Sequence, residues 1–166
     1  MDLEERVAEL ERRMAALDRP ESAAATHSTG DFWALEGLKA QLAGLGAADG
    51  GVLFTGAVRL PTGQRYEWQT GAVAEDLFER DWSQAADSFA ALGHPVRLRL
   101  LREILGGRCT AAELADLEET GTTGQIYHHL RQLTGAGWLH TTGRGRYEVP
   151  AGRVVPLLVA LSAARP

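Results

Sequence analysis

Apolar and polar positions alternate with different periods along the chain, and the changes of period mark its elements. Leu3, Val7, Leu10, Met14 and Leu17 alternate spacings of four and three, the a/d seam of a coiled coil. In this register Arg6 and Arg13 fall at g, and Glu4, Glu11 and Asp18 at e. A parallel pair of copies joins Arg6 to Glu11 and Arg13 to Asp18, whereas an antiparallel pair sets like charges together. The spacing therefore predicts a coiled-coil dimerisation helix over residues 1–18; the competing expectation is an amphipathic helix packed on its own chain. About two and a half heptads are marginal alone. Residues 19–31 are small, polar and unpatterned, and read as a linker.

An extension over residues 32–72 comes next, a helix and then a β-hairpin. Asp31 can cap a helix with Phe32, Leu35, Leu38 and Leu42 on one side, stopped by Gly44 and Gly46. Val52–Leu60 and Gln64–Thr70 alternate as strands around Leu60-Pro61-Thr62-Gly63, with Pro61 at the first turn position and Gly63 at the left-handed one. This register pairs Leu60 with Gln64, Val58 with Tyr66 and Gly56 with Trp68. Val52, Phe54, Val58, Tyr66 and Trp68 then share a face, and Trp68 can cover the bare glycine. A lone hairpin is barely stable. The expected cover is the helix over 32–43; the functional alternative is that Phe54, Tyr66 and Trp68 form an effector or partner surface.

Helical period returns from about Val73 and runs through Phe78, Trp82, Ala85, Phe89 and Leu92 to Gly93. Pro95 suits the first turn of the next helix, whose Leu98, Leu101 and Leu105 are expected inward. Thr110 with Glu113, and Thr122 with Gln125, each match the Ser/Thr-x-x-Glu/Gln capping box. Between them EETG gives a turn. Ile126, Leu130 and Leu133 place one stripe of the following helix inside, and Thr123, Gly124, Tyr127, His128 and Arg131 occupy the other. These groups can approach, stack on or hydrogen-bond to nucleic acid, and a helix N-terminus favours phosphate. Taken alone they fit equally a solvated face of a helical hairpin.

The flanks decide. Leu92-Gly93-His94-Pro95 followed by Arg97 and Leu98, His129-Leu130, the Gly137 turn and an Arg/Gly segment ending at Tyr147 come in order at the right spacing. Over roughly residues 80–163 the chain resembles the ArsR-type winged helix-turn-helix, the fold of many bacterial dimeric repressors. The resemblance implies an α+β fold, mainly helical with small hairpins, and a DNA-binding domain over 73–166. It implies that the first helix of the module helps form the dimer interface, so that Phe78, Trp82 and Phe89 become dimer contacts, and that Arg97 braces structure or touches phosphate. Trp138–Thr141 and Arg146–Val149 are expected to form the wing, with Arg144 and Arg146 reaching the minor groove or the backbone. The last helix, about 153–163, is apolar nearly all round. Leu157, Leu158 and Leu161 are expected between subunits, with Pro156 in its first turn.

Charge changes this picture in one respect. The net charge is −5, yet residues 1–81 hold 8 Lys/Arg against 15 Asp/Glu and residues 82–166 hold 9 against 7. Acid is concentrated outside the reading module and should point away from DNA or restrain binding. Basic charge is thin even in the rear half, which calls for two subunits per site. No apolar run reaches membrane length, and the N-terminus is acidic rather than signal-like. Cys109 is the only cysteine, which fits a cytoplasmic protein.

Many relatives in the resembled family sense metals through cysteine pairs or through His and carboxylate ligands on the last helix. This sequence departs from both patterns: Cys109 has no near partner, the last helix carries no ligand side chain, and adjacent His128 and His129 point about 100° apart. His140 alone adds little. No phosphate loop, nucleophile set or paired carboxylates appear, so neither a cofactor nor an enzyme is expected. The expectation is a homodimer on double-stranded DNA, with recognition helices in successive major grooves of an inverted repeat about 34–36 Å apart. Base edges are assigned to Thr123, Gln125, Tyr127 and His128, close approach to Gly124, the cap to Thr122, and phosphate or minor groove to Arg131, Arg144 and Arg146. A small-molecule or protein effector would act through the segment 73–92. The alternative is a winged-helix adaptor for protein partners.

Overall fold

A computed structural model of the protein describes residues 32–117, 121–143 and 145–164. The expected coiled coil, with Leu3, Val7, Leu10, Met14 and Leu17, the linker, and Arg144 lie outside them. The chain divides into units 1–37 and 38–166. Of the first only residues 32–37 are described, the opening of helix α1 (Trp33–Leu45); every other described residue belongs to the second.

Strands β1 (Gly51–Arg59) and β2 (Arg65–Val73) pair antiparallel in the expected register, Val58 against Tyr66 and Gly56 against Trp68. Leu60 N–H donates to Gln64 O at 2.9 Å, and Gly63 takes φ +87°, which glycine adopts without strain. What covers the hairpin differs from expectation. Val58, Leu60 and Tyr66 pack on the main core, and the space above Gly56 is filled by Val155, a Cβ at Gly56 lying 2.6 Å from Val155 Cγ1. Trp68, expected to shield Gly56, instead lies against Gly152. Val155 and Gly152 belong to the last helix, so that helix, not α1, covers the face. Leu42 of α1 approaches Gly51, at the start of β1, and lines a cavity with Val52 and Leu53 there.

The segment 73–92 is not one helix. It forms α2 (Ala74–Glu79), a 3-10 turn (Trp82–Ala85) and α3 (Ala86–Leu92). The cause is an internal cap: Asp81 Oδ1 accepts from Ser83 N–H at 2.9 Å and Asp81 Oδ2 from Ser83 Oγ–H at 2.8 Å. These bonds hold the Asp81 carboxyl below the usual carboxylate range. They hold Asp81 extended (φ −72°, ψ 105°) where a continuous helix needs it coiled. Trp82 Nε1–H donates across the break to Leu77 O at 2.8 Å. Phe78, Trp82 and Phe89 are left 75%, 66% and 68% exposed.

The core lies among α4 (Pro95–Leu105), α5 (Ala111–Ala115), α6 (Thr123–Gly135) and α7 (Ala151–Ala163), closed at one edge by β3 (His140–Thr142) and β4 (Arg146–Glu148). In α4 the expected Leu101 is buried and Leu105 packs half-buried against the core, but Leu100 and Ile104 are buried where Leu98 was expected. α4 meets α6 on one side and β4 on another, so a wider arc is enclosed. Pro156 sits inside α7 rather than in its first turn, because the helix already starts at Ala151; its missing N–H leaves one ladder bond unmade. Leu157, expected between subunits, is 1% exposed within its own chain's core, since Val154 and Leu157 form the inward stripe. Leu158 is half-buried against that core, and Leu161 is 40% exposed.

Gly56→Ala should destabilise the protein by about 1–3 kcal/mol, because the new methyl meets Val155. Adding Val155→Ala should recover part of that loss beyond additivity. Urea unfolding of the two single variants and the double variant measures this; strictly additive effects would show that the hairpin does not seat on α7.

Candidate nucleic-acid interface

The two capping boxes form as their spacing requires. Glu113 N–H donates to Thr110 Oγ1 at 3.3 Å, and Glu113 Oε2 accepts from the N–H groups of Thr110 (2.8 Å) and Cys109 (3.0 Å). The Thr110 N–H and hydroxyl hold the Glu113 carboxyl below its ordinary value, with a smaller contribution from Arg146. At α6, Gln125 N–H donates to Thr122 Oγ1 at 3.4 Å and Gln125 Oε1 accepts from Thr122 N–H at 2.8 Å. Gly121 precedes this box at φ +92°, where a Cβ would sit 2.4 Å from Gln125 Oε1. Only glycine leaves the carboxamide its place.

Caps at both starts fix the phase of α6. Ile126, Leu130 and Leu133 are 0% exposed, so the helix cannot rotate without exposing them. The opposite face carries Thr123, Gly124, Tyr127, His128 and Arg131, all exposed. Gly124 has nothing within 4 Å of its would-be Cβ and no positive φ. Glycine there weakens a helix by up to about 1 kcal/mol and serves no packing need among the described residues. Gln125, expected at a base edge, has its Oε1 committed to the cap and keeps only its amide nitrogen to offer. Arg131 Nε–H leans back to Tyr127 O at 3.4 Å.

Arg97 braces the seat of this helix. Its Nε–H donates to Ala91 O and its Nη2–H to Ala90 O, each at 2.6 Å, while Nη1–H donates to Gln132 Oε1. One guanidinium thus closes the end of α3 and joins it to α6. Beside it His94 caps α4, Nδ1 accepting from Val96 N–H at 3.2 Å, and its ring lies 4.6 Å from that of His129. His129 Nδ1 is buried without a partner. Burial, then the charges of His94, Arg97 and His128, push the His129 pKa below 6.5, and a Gln132 hydrogen bond opposes them. Sequence spacing does not single out His94 or Gln132 for these roles, although a His immediately before a helix-starting Pro is a legible cap. Among the described residues, no three His, Cys, Asp or Glu side chains gather to hold a metal.

The wing is shorter than expected, three residues a strand, with Thr142 opposite Arg146. Trp138 and Leu139 precede it as core residues, Trp138 Nε1–H donating to Ser88 O at 3.1 Å. β4 is also tied to the start of α5: Tyr147 N–H donates to Cys109 O at 2.7 Å, and Thr110 bridges Arg146. Arg146 is exposed on this strand. The residues expected at an effector or partner surface have different surroundings. Tyr66 lines a cavity between hairpin and wing, Trp68 lies along α7, and Phe54 is half-buried elsewhere on the sheet.

Residues 92–141, from the end of α3 into the wing, match a family model described as a helix-turn-helix domain. That domain suggests a DNA-binding transcription regulator, and the fold is an α+β winged helix. Comparison with curated proteins and with solved structures gave no match. No helix among the described residues is long and apolar enough to cross a membrane.

Arg97→Gln should lower stability by about 2–3 kcal/mol, by leaving the Ala90 and Ala91 carbonyls without a charged donor; an unchanged urea midpoint would contradict the brace. His129 has its folded pKa depressed, so the unfolded chain binds more protons as pH falls below 6.5. Its contribution is present above 6.5 and is lost on acidification toward the folded pKa. His129→Asn should flatten that part of the stability–pH curve, and an unaltered slope would assign it to other groups.

Proposed function

We propose that the protein is a sequence-specific, DNA-binding transcriptional regulator of the ArsR type, acting as a homodimer and by default as a repressor through promoter occupancy, with a signal other than a metal ion. The observation that carries the reading is the outer face of α6. Five exposed residues of suitable chemistry stand on a helix whose phase is fixed by a fully buried stripe. In this reading Thr123, Tyr127 and His128 meet base edges, joined by the Gln125 amide nitrogen, and Gly124 admits the duplex closely. Arg131 and Arg146, with Arg144 beside it in sequence, hold phosphates or enter the minor groove.

The dimer reading is supported by the exposed Phe78, Trp82 and Phe89. Aromatic residues standing that far into solvent on neighbouring turns form an apolar surface of the kind partners cover. Leu161 extends the exposed apolar surface of α7, whereas Leu157 is used inside the protomer. The same aromatic surface, with acid concentrated in residues 1–81, also favours a second reading, a winged-helix adaptor for a protein partner.

Retention of fragmented DNA from the protein's own source, at low and at moderate salt, separates the two. An inverted repeat that stays enriched at moderate salt supports the regulator; uniform or absent retention favours the adaptor. Within the regulator reading, Arg146→Ala should weaken binding to all sequences and reduce the salt slope by about 1. His128→Ala should cost about 1–3 kcal/mol, and only at particular base pairs. Equal, sequence-blind losses would overturn these roles. Phe89→Asp should shift the protein toward monomer in sedimentation and lower DNA affinity with it; an unchanged mass would remove α3 from the dimer interface.

A further inference from the structure

Between the hairpin tip and the wing lies a cavity of about 260 Å³ that the DNA-binding reading does not use. Its floor is apolar, with Leu60, Ile104, Val149 and Val154. Thr62, Gln64, Tyr66, Cys109, Arg146 and Glu148 supply its polar side chains. The hairpin tip is held at its rim by a close approach: Gly107, at φ +108°, would place a Cβ 3.2 Å from Thr62 Cγ2. Glycine lets the loops touch there, while the space beside them stays open.

The charges define what fits. Arg146 and Glu148 alternate on β4, so they project to the same side from backbone positions about 7 Å apart. Both line the cavity, and they do not close on each other as an ion pair. Glu113, the other carboxylate near Arg146, is committed to the N–H groups of Cys109 and Thr110. Gln64 Oε1 accepts from the Thr62 hydroxyl at 3.2 Å, which leaves the Gln64 amide nitrogen as a donor. One cation, one anion and several neutral polar groups thus stand over an apolar floor. A simple anion would leave Glu148 opposing it, and a simple cation would face Arg146.

We propose that this cavity binds a small zwitterion, an amino acid with an apolar side chain. Its carboxylate meets Arg146 and the Gln64 amide, its ammonium meets Glu148, and its side chain lies on Ile104, Val149 and Val154. Because Arg146 is also the wing cation assigned to DNA, an occupied site withdraws it from phosphate. Tyr147 N–H and Thr110 tie the same strand to the start of α5, so the occupant also bears on the helix-turn-helix entry. The coupling to DNA rests on the regulator reading; the binding site itself does not.

Cys109 is the chain's only thiol and lines the cavity, so its reactivity reports occupancy without any DNA. The full-length protein is treated with a chromogenic disulfide reagent in the presence of each of the standard L-amino acids at millimolar concentration. At about ten times its Kd, a bound amino acid should slow the thiol reaction roughly tenfold. Arg146→Gln and Glu148→Gln, both exposed positions, should each abolish protection, read within each variant as the ratio of its thiol rates with and without the amino acid. No protection by any amino acid, or protection that survives both substitutions, overturns the site. DNA retention with the protecting amino acid is the second arm. Release of DNA supports the coupling; retention unchanged by a ligand that protects Cys109 overturns the coupling and leaves the site standing. A protein that binds the amino acid but no DNA in any condition supports the site and overturns the regulator reading.

Discussion

The burial of one stripe on α6 is the constraint on which the rest of this structure depends. Ile126, Leu130 and Leu133 are wholly removed from water, and exposing a side chain of that size costs about 1.5–3 kcal/mol. A rotation of α6 by one residue would expose the stripe, so the helix has one orientation. Everything on its outer face is therefore presented as a set. The capping boxes at Thr110 and Thr122 add the axial limit, fixing where each helix of the motif begins, and Gly121 makes the second box sterically possible.

Hydrophobic burial alone would let the helices slide, and the polar groups beside the core remove that freedom. Arg97 satisfies two carbonyls at the end of α3, which a helix terminus otherwise leaves to water, and engages Gln132 of α6. Charged donors make these bonds stronger than neutral ones. The rings of His94 and His129 fill the neighbouring space tilted by 42°, and the basicity of His129 is depressed by burial first and then by the charges of His94, Arg97 and His128. α6 is thus seated on a site where added positive charge is disfavoured.

Local patterns were legible where one rule decided them. The capping boxes, the α6 stripe and the β1–β2 register all formed as their spacing required, because each depends on residues a few positions apart. The break at Asp81 was hidden because Phe78, Trp82, Ala85, Phe89 and Leu92 keep a helical period straight through it; Asp81 and Ser83 compete locally and win. Pro156 was misplaced because the start of α7 was read too late. The inward face of α4 was misjudged because two neighbours, not one, enclose it. Arg97 was marked as a position of interest, yet its acceptors lie six, seven and thirty-five residues away, and no periodicity carries that information. Of the outward face of α6 nearly all was legible. The partial commitment of Gln125 was also available, since a residue that completes a capping box has one fewer atom for DNA.

The hairpin shows how an extension can become part of a domain. Reading 32–72 as an appended unit led to the expectation that its own helix would cover the β1–β2 face. Instead Val58, Leu60 and Tyr66 join the winged-helix core, and Gly56 and Gly152 accept Val155 and Trp68 across the contact with α7. Paired small and large residues on opposed surfaces make an interlocking fit that resists sliding. The hairpin therefore bears on α7 along its length and, at its tip, on the loop after α4, where Thr62 meets Gly107. Arg146 stands beside that tip, on the strand that lines the cavity and is tied to the start of α5.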